Sequence, residues 1–438
     1  MLMVLRELRS FRWEDEFMMT RAKQIMSAGI LMTAMLASCS APNAGEPAPS
    51  TSAPSASSPS GTSAPAQSST PSPSRSAGVD ESSTASQSKE LSLRQQAEEL
   101  VDELSASEQA ASLVMAGVPA TGASAAEISA MKKQGISNVF LRGRSQLAVK
   151  QTAAQVQKIT QDLDSNIPGQ LPVWVATDQE GGFVRVLQGD GFAELPTALK
   201  QGQWSTSKLE SEVGTAGKQL AEAGINVNLA PVADVVPSSI GTSNAPIGYF
   251  GREYAHDAAG VSKAVATVNE ALHAQGVQPV VKHFPGLGRV AENTDTNTGV
   301  TDTKIDAGSS DLQPFEQAIE QGKSWVMVSN ARYARLDAKN DAPFSSKIIR
   351  ELLREQMGYE GIVISDDLCE AKQVGHVPVG ERAVKFIAAG GTVPLCVNSA
   401  PAITMAKALA AEAKSDSKFA GKVREAAVLV LEEKLRGQ

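Results

Sequence analysis

Histidine and cysteine are scarce in this chain: 438 residues carry four His and three Cys, and aromatic side chains make up only 4%. Metal centres built on imidazole need tight groupings, such as two His on one helix face with a carboxylate nearby. His256, His273, His283 and His376 show no such spacing, so neither a metal nor another cofactor is expected. Basic charge is short as well. The formal net charge is −8 at pH 7, and residues 1–38 hold five basic and four acidic side chains, which leaves −9 for the remainder. An acidic chain without a basic stripe excludes nucleic acid as a natural partner. A Gly-rich dinucleotide loop after the first apolar strand is also missing, which speaks against an open nucleotide-binding sheet.

Residues 40–90 contain only Val79 among the larger apolar side chains and are otherwise mostly Ser, Pro, Ala, Thr and Gly. Such a segment cannot bury enough surface to offset its ordering entropy, so residues 39–90 are expected to form a disordered tether. At ~3.1 Å per residue its extended limit is on the order of 150 Å. Ahead of it, Arg21 and Lys23 precede an apolar stretch, 25–36, that is too short to span a membrane and runs into Leu36-Ala37-Ser38-Cys39. This resembles the lipobox of bacterial lipoproteins. Residues 1–38 are therefore expected to be a signal peptide, with Cys39 the lipidated N-terminus of an exported, membrane-anchored protein. Glu7, Glu14, Asp15 and Glu16 are unusual in a signal peptide, and translation is expected from Met18 or Met19.

From residue 91 onward, helical periodicity alternates with short apolar runs. Eight runs read as strands: 112–116, 138–141, 172–177, 227–232, 278–281, 325–329, 361–365 and 392–397. Helical patterns lie between them, several ending at a Gly that suits a helix C-terminus, and 418–438 reads as a last helix against the outside of the domain. Eight strands each followed by a helix predict a single α/β domain over 91–438, a (β/α)8 TIM-type barrel.

In such a barrel the working rim is the C-terminal end of each strand. Strand three ends in Thr177-Asp178-Gln179-Glu180-Gly181-Gly182, followed by Arg185; the loop after strand four holds Arg252. Strand five ends in Lys282-His283, and strand seven in Ser365-Asp366-Asp367. Two Arg, a Lys, a His and several carboxylates on one rim suit a polyhydroxylated ligand held by charge-assisted hydrogen bonds. Strand pleating points Asp366 and Asp367 in opposite directions, so only one can face the mouth.

ATDQEGGFVRV, KHFPG and ISDDL, in this order and spacing, resemble glycoside hydrolase family 3 in its single-domain β-N-acetylglucosaminidase branch. The resemblance runs from about residue 91 to the C-terminus. It implies a TIM-type barrel, a retaining mechanism, and exo-cleavage of terminal β-linked GlcNAc from muropeptides or disaccharides derived from peptidoglycan. By motif match it makes Asp366 the nucleophile, and Asp178, Arg185, Arg252, Lys282 and His283 the residues that hold the sugar. One departure matters. Where the family reads PGHG and then Asp-Ser-His, whose Asp-His pair supplies the general acid/base, this chain has Leu287 in PGLG and then Asn293-Thr294-Asp295. Either Asp295, with Glu292 second, donates the proton, or catalysis is lost and the chain is a muropeptide-binding lipoprotein. A phosphorylase that uses phosphate as acceptor is the further alternative within the family. The loop's Gly, Asn and Thr content predicts that it moves to close over substrate.

Cys369 and Cys396 remain. Cys369 lies just past Asp366 and Cys396 near the end of strand eight, on neighbouring strands ~4.8 Å apart, so a disulfide across the barrel mouth is expected. An exported location would supply the oxidant.

Overall fold

The computed structural model describes residues 91–437; the expected signal peptide, Cys39 and the tether lie outside the described residues. Eight parallel strands form the barrel: β1 Met115–Pro119, β2 Asn138–Arg142, β3 Val175–Thr177, β4 Val227–Asn228, β5 Gln278–Phe284, β6 Trp325–Val328, β7 Val363–Ser365 and β8 Leu395–Cys396. Each pairs with its sequence neighbour, β8 pairs with β1 at Met115 and Ala116, and a bridge between Ile364 and Val393 closes the ring. Because every strand runs the same way, their C-terminal ends open onto one mouth. A Cβ at Gly117 would sit 2.1 Å from the Val397 carbonyl oxygen, so the last turn of the ring closes only around a glycine.

Local chemistry sets the helix starts. Ser92 with Gln95, Ser105 with Glu108 and Ser124 with Glu127 each form a reciprocal capping box. The second of these corrects the expected first strand. The helix begun at Ser105 runs through Leu113, taking in Ser112 and Leu113 of the strand expected at 112–116, and β1 starts at Met115. A short apolar run does not distinguish a buried helix turn from a strand. Likewise the expected 227–232 strand is regular only over Val227–Asn228; Pro231 has no N–H to donate, and pairing resumes where Val232 bridges Lys282. Strand β5 runs on to Phe284, so Lys282 and His283 belong to the strand rather than to its exit.

The end opposite the mouth is plugged. Trp174 and Trp325 pack edge to face with centroids 4.5 Å apart. From the last helix, Ser417–Arg436, Lys434 places its Nζ 4.2 Å from the Trp174 ring centroid and donates to the Pro172 carbonyl at 2.7 Å. Burial pushes this ammonium well below its ordinary value. The tryptophans are core residues at the base, which leaves the mouth as the chemical end. Two small sheets unforeseen in the sequence decorate it: a hairpin of Gln179–Gly181 with Val184–Arg185, and a three-stranded sheet of Thr301–Asp302, Arg332–Tyr333 and Asp337–Asp341. Among the described residues no helix is long and apolar enough to cross a membrane.

Candidate active site

Residues separated by two along an extended chain share a face, and Asp178 and Glu180 follow β3 at that spacing. Both reach Lys282 of β5: its Nζ donates to Asp178 Oδ1 at 2.7 Å and to Glu180 Oε1 at 2.7 Å. Arg252, from the loop after β4, grips the same carboxylate in a fork, Nε to Oε2 at 2.9 Å and Nη2 to Oε1 at 2.7 Å. Intervening Gln179 points the other way. It exchanges two hydrogen bonds with the Leu187 backbone, which fixes the hairpin beside the mouth. Burial pushes the Glu180 carboxyl up, but Arg252 and Lys282 together outweigh it and hold the group at about 2. Burial opposes the Lys282 charge too, yet Asp178 and Glu180 hold it above its ordinary value. Lys282 is therefore a fixed cation at the floor of the mouth.

Glu180 was absent from the residues expected to bind substrate; its i, i+2 relation to Asp178 was the signal that could have found it. Removing its charge would leave buried Lys282 and half-buried Arg252 without their shared counterion. Glu180→Gln is therefore expected to cost roughly 3–5 kcal/mol of stability at pH 7 in urea denaturation. Because folding lowers this carboxyl from 4.5 to about 2, its stabilisation is complete above 4.5 and fades as pH falls toward 2. The gap between wild type and variant should shrink accordingly at pH 3, and an equal gap at both pH values would contradict the arrangement.

His283 is buried beside Lys282 and meets a carboxylate not expected from sequence. Its Nδ1 lies 2.7 Å from Asp234 Oδ2, while Asp234 Oδ1 accepts from the backbone N–H groups of His283 and Leu287 at 3.2 and 2.7 Å. Asp234 is fully buried. This network places the proton on Nδ1 and aims Nε2 away from Asp234. Arg185, by contrast, does not join the Glu180 cluster; its Nη1 lies 3.5 Å from Glu194 Oε1, a largely exposed carboxylate.

Across the barrel, Asp366 and Asp367 divide as pleating requires. Asp366 is half-buried, its N–H donates to Val328 O at 3.0 Å, and one oxygen accepts the Asp367 N–H at 2.8 Å. Asp367 is buried and accepts three backbone N–H groups, from Cys369 at 3.0 Å, Val397 at 3.0 Å and Glu370 at 2.8 Å. Burial pushes its carboxyl up to about 6, against these donors and with the help of Asp366. Thus Asp367 ties the β7 loop to the chain leaving β8, while Asp366 keeps a side chain for the mouth. Buried Tyr333 lies among these groups. Burial raises its phenol well above the ordinary value, and Asp234, Asp302 and Asp366 add to the effect.

The same two chain segments are joined covalently. Cys369 and Cys396 form a disulfide, with Sγ–Sγ 1.96 Å and Cα–Cα 5.2 Å. Alkylation of denatured protein prepared without reductant should label neither residue, and the intact mass should be about two units below the dithiol form. Labelling of both would exclude the bridge.

Asp295 and Glu292 are exposed on the loop after β5. That loop is hydrogen-bonded to the loop after β7. Thr294 O accepts the Gln373 N–H at 3.0 Å, and Asp295 O accepts the Lys372 N–H at 3.1 Å. The Asp295 N–H donates to Asn293 Oδ1 at 2.8 Å, so the Asn293 side chain caps this turn. The mouth thus joins a buried Lys and a half-buried Arg on one carboxylate, a His-Asp pair, a half-buried carboxylate and a second carboxylate on a hydrogen-bonded loop, a set able to bind sugar hydroxyls and to work on an acetal.

The model of the "Glycosyl hydrolase family 3 N terminal domain" matches residues 100–432. A solved β-N-acetylhexosaminidase from Beutenbergia cavernae is 42% identical, with a TM-score of 0.73 over 76% of this chain and 98% of that one. A glycoside hydrolase family 3 β-N-acetylglucosaminidase from Paenibacillus sp. is 25% identical, with a TM-score of 0.67 over 76% of this chain and 63% of that one. The β-hexosaminidase of Stenotrophomonas maltophilia is 28% identical over 283 residues, 62% of this chain and 79% of its own.

Proposed function

Since the chain belongs to glycosyl hydrolase family 3 and is a glycosidase, we propose that it is a retaining exo-β-N-acetylglucosaminidase releasing terminal GlcNAc from peptidoglycan-derived fragments. The observation that carries this reading is the fixed Asp178–Lys282–Glu180–Arg252 network in the same mouth as the half-buried Asp366. In the first step a carboxylate oxygen of Asp366 bonds to C1 while the bond from C1 to the leaving oxygen breaks; that oxygen takes its proton from Asp295. In the second, Asp295 accepts a proton from water as the water oxygen bonds to C1 and frees Asp366. Asp178, Lys282, Arg252 and His283 Nε2 supply donors and acceptors for the sugar hydroxyls.

The test is incubation with 4-nitrophenyl β-GlcNAc and with a GlcNAc-MurNAc disaccharide, with and without phosphate, following product anomers by NMR. Initial release of β-GlcNAc is expected. Release of α-GlcNAc would exclude retention, GlcNAc-1-phosphate would identify a phosphorylase, and binding without turnover would leave a muropeptide-binding lipoprotein. We also propose, from residues 21–39 alone, that Cys39 anchors the protein as a lipoprotein on the outer face of the cell membrane. Metabolic labelling with a palmitate analogue should mark the protein and fail on Cys39→Ala.

A further inference from the structure

Gln373 sits seven residues past Asp366 in the loop after β7, in a single turn spanning Lys372–Val374, and it is 2% exposed. A buried amide must satisfy both ends, and this one does so across two other loops. Its Oε1 accepts the Val300 N–H at 2.8 Å and its Nε2 donates to Val300 O at 3.2 Å, so the side chain pairs with the backbone after β5 as a neighbouring strand would. The same Nε2 donates to Asp341 Oδ1 at 3.0 Å, in the loop after β6. Asp341 Oδ1 also accepts Arg332 Nη2 at 3.0 Å, and the Arg332 N–H donates to Val300 O at 3.0 Å. Backbone bonds from Lys372 and Gln373 to Asp295 O and Thr294 O complete the joint. Gln373 is thus the side chain on which the loops after β5, β6 and β7 converge.

We propose that Gln373 is a positioning residue, holding the Asp295 loop in register with the loop that bears Asp366. The inference rests on Asp295 as proton donor. Its chemistry follows from placement: the two carboxylates act on opposite bonds at one carbon, and their separation is set by how the two loops abut. Cutting the amide pairing leaves both carboxylates chemically intact while loosening one against the other, and misplacement on the order of 1 Å can cost ~100-fold in rate.

The test compares Gln373→Ala, the volume-preserving Gln373→Met and Asp295→Ala in the full chain. The substrates are a GlcNAc disaccharide, whose leaving oxygen needs a proton, and dinitrophenyl β-GlcNAc, whose leaving group does not. Both Gln373 variants are expected to lose roughly 10- to 100-fold in kcat on the disaccharide with little change in KM. The aryl glycoside should lose far less, and added azide, which needs no base, should restore its turnover. Should Gln373→Ala fail to fold, Gln373→Met, which retains the bulk, carries the comparison. Equal loss on both substrates, or none, in Gln373→Met while Asp295→Ala remains selective for leaving group would overturn the clamp alone. If Asp295→Ala also lacks selectivity, the proton-donor assignment fails and the clamp falls with it.

Discussion

Asp366→Asn is expected to abolish turnover, by a factor on the order of 10⁴ or more, because an amide cannot form the ester to C1 on which both steps of the proposed mechanism depend. The fold should survive. Asp366 is half-buried, and the clamp on its loop is made by Asp367, whose carboxylate accepts three backbone donors, and by the Cys369–Cys396 bridge. Unfolding free energies of wild type and variant should therefore agree to within about 0.5 kcal/mol. A slow 2-fluoro substrate, quenched and digested, should leave its sugar on the peptide containing Asp366. A label on Asp367 instead would overturn the assignment and would require that buried side chain to release all three donors.

Asp295→Ala carries the second large effect. General acid catalysis contributes about 10²- to 10⁴-fold, and it matters most when the leaving group is a poor one. Disaccharide cleavage should fall by that amount, while activated aryl glycosides, which leave without a proton, should lose about tenfold or less. Uniform loss on both would assign Asp295 to positioning and move the proton to Glu292, exposed on the same loop. The contrast also separates catalysis from binding, since a pure binder has no leaving-group dependence to lose.

How much of this was readable in advance follows from which signals are local. The strands of a barrel are buried on both faces, so all eight could be located from short apolar runs, but their bounds were not: β1 slid where a capped helix continued into an apolar stretch, β4 is regular over two residues only, and β5 runs on to Phe284. The two small rim sheets were invisible because their strands are mostly two or three residues long and carry polar side chains. Glu180 was half visible, one pleat from Asp178. Asp234 was not: it stands 49 positions before His283, in a segment with no periodicity, and only the adjacency of β4 and β5 brings them together.

Residue order alone established the barrel, the strand ends that face its mouth, and the kinds of charge placed there, because these depend on burial patterns and spacings within a few residues. The partners of those charges were decided in three dimensions. Lys282 stands 104 residues from Asp178, Arg252 72 residues from Glu180 and Gln373 73 from Val300. A buried charge or amide must find a partner wherever ring closure puts one. The choice of Glu180 as shared counterion, Asp234 as the support of His283 and Gln373 as the joint between loops is made by the geometry of the closed ring, which no local stretch of the chain contains.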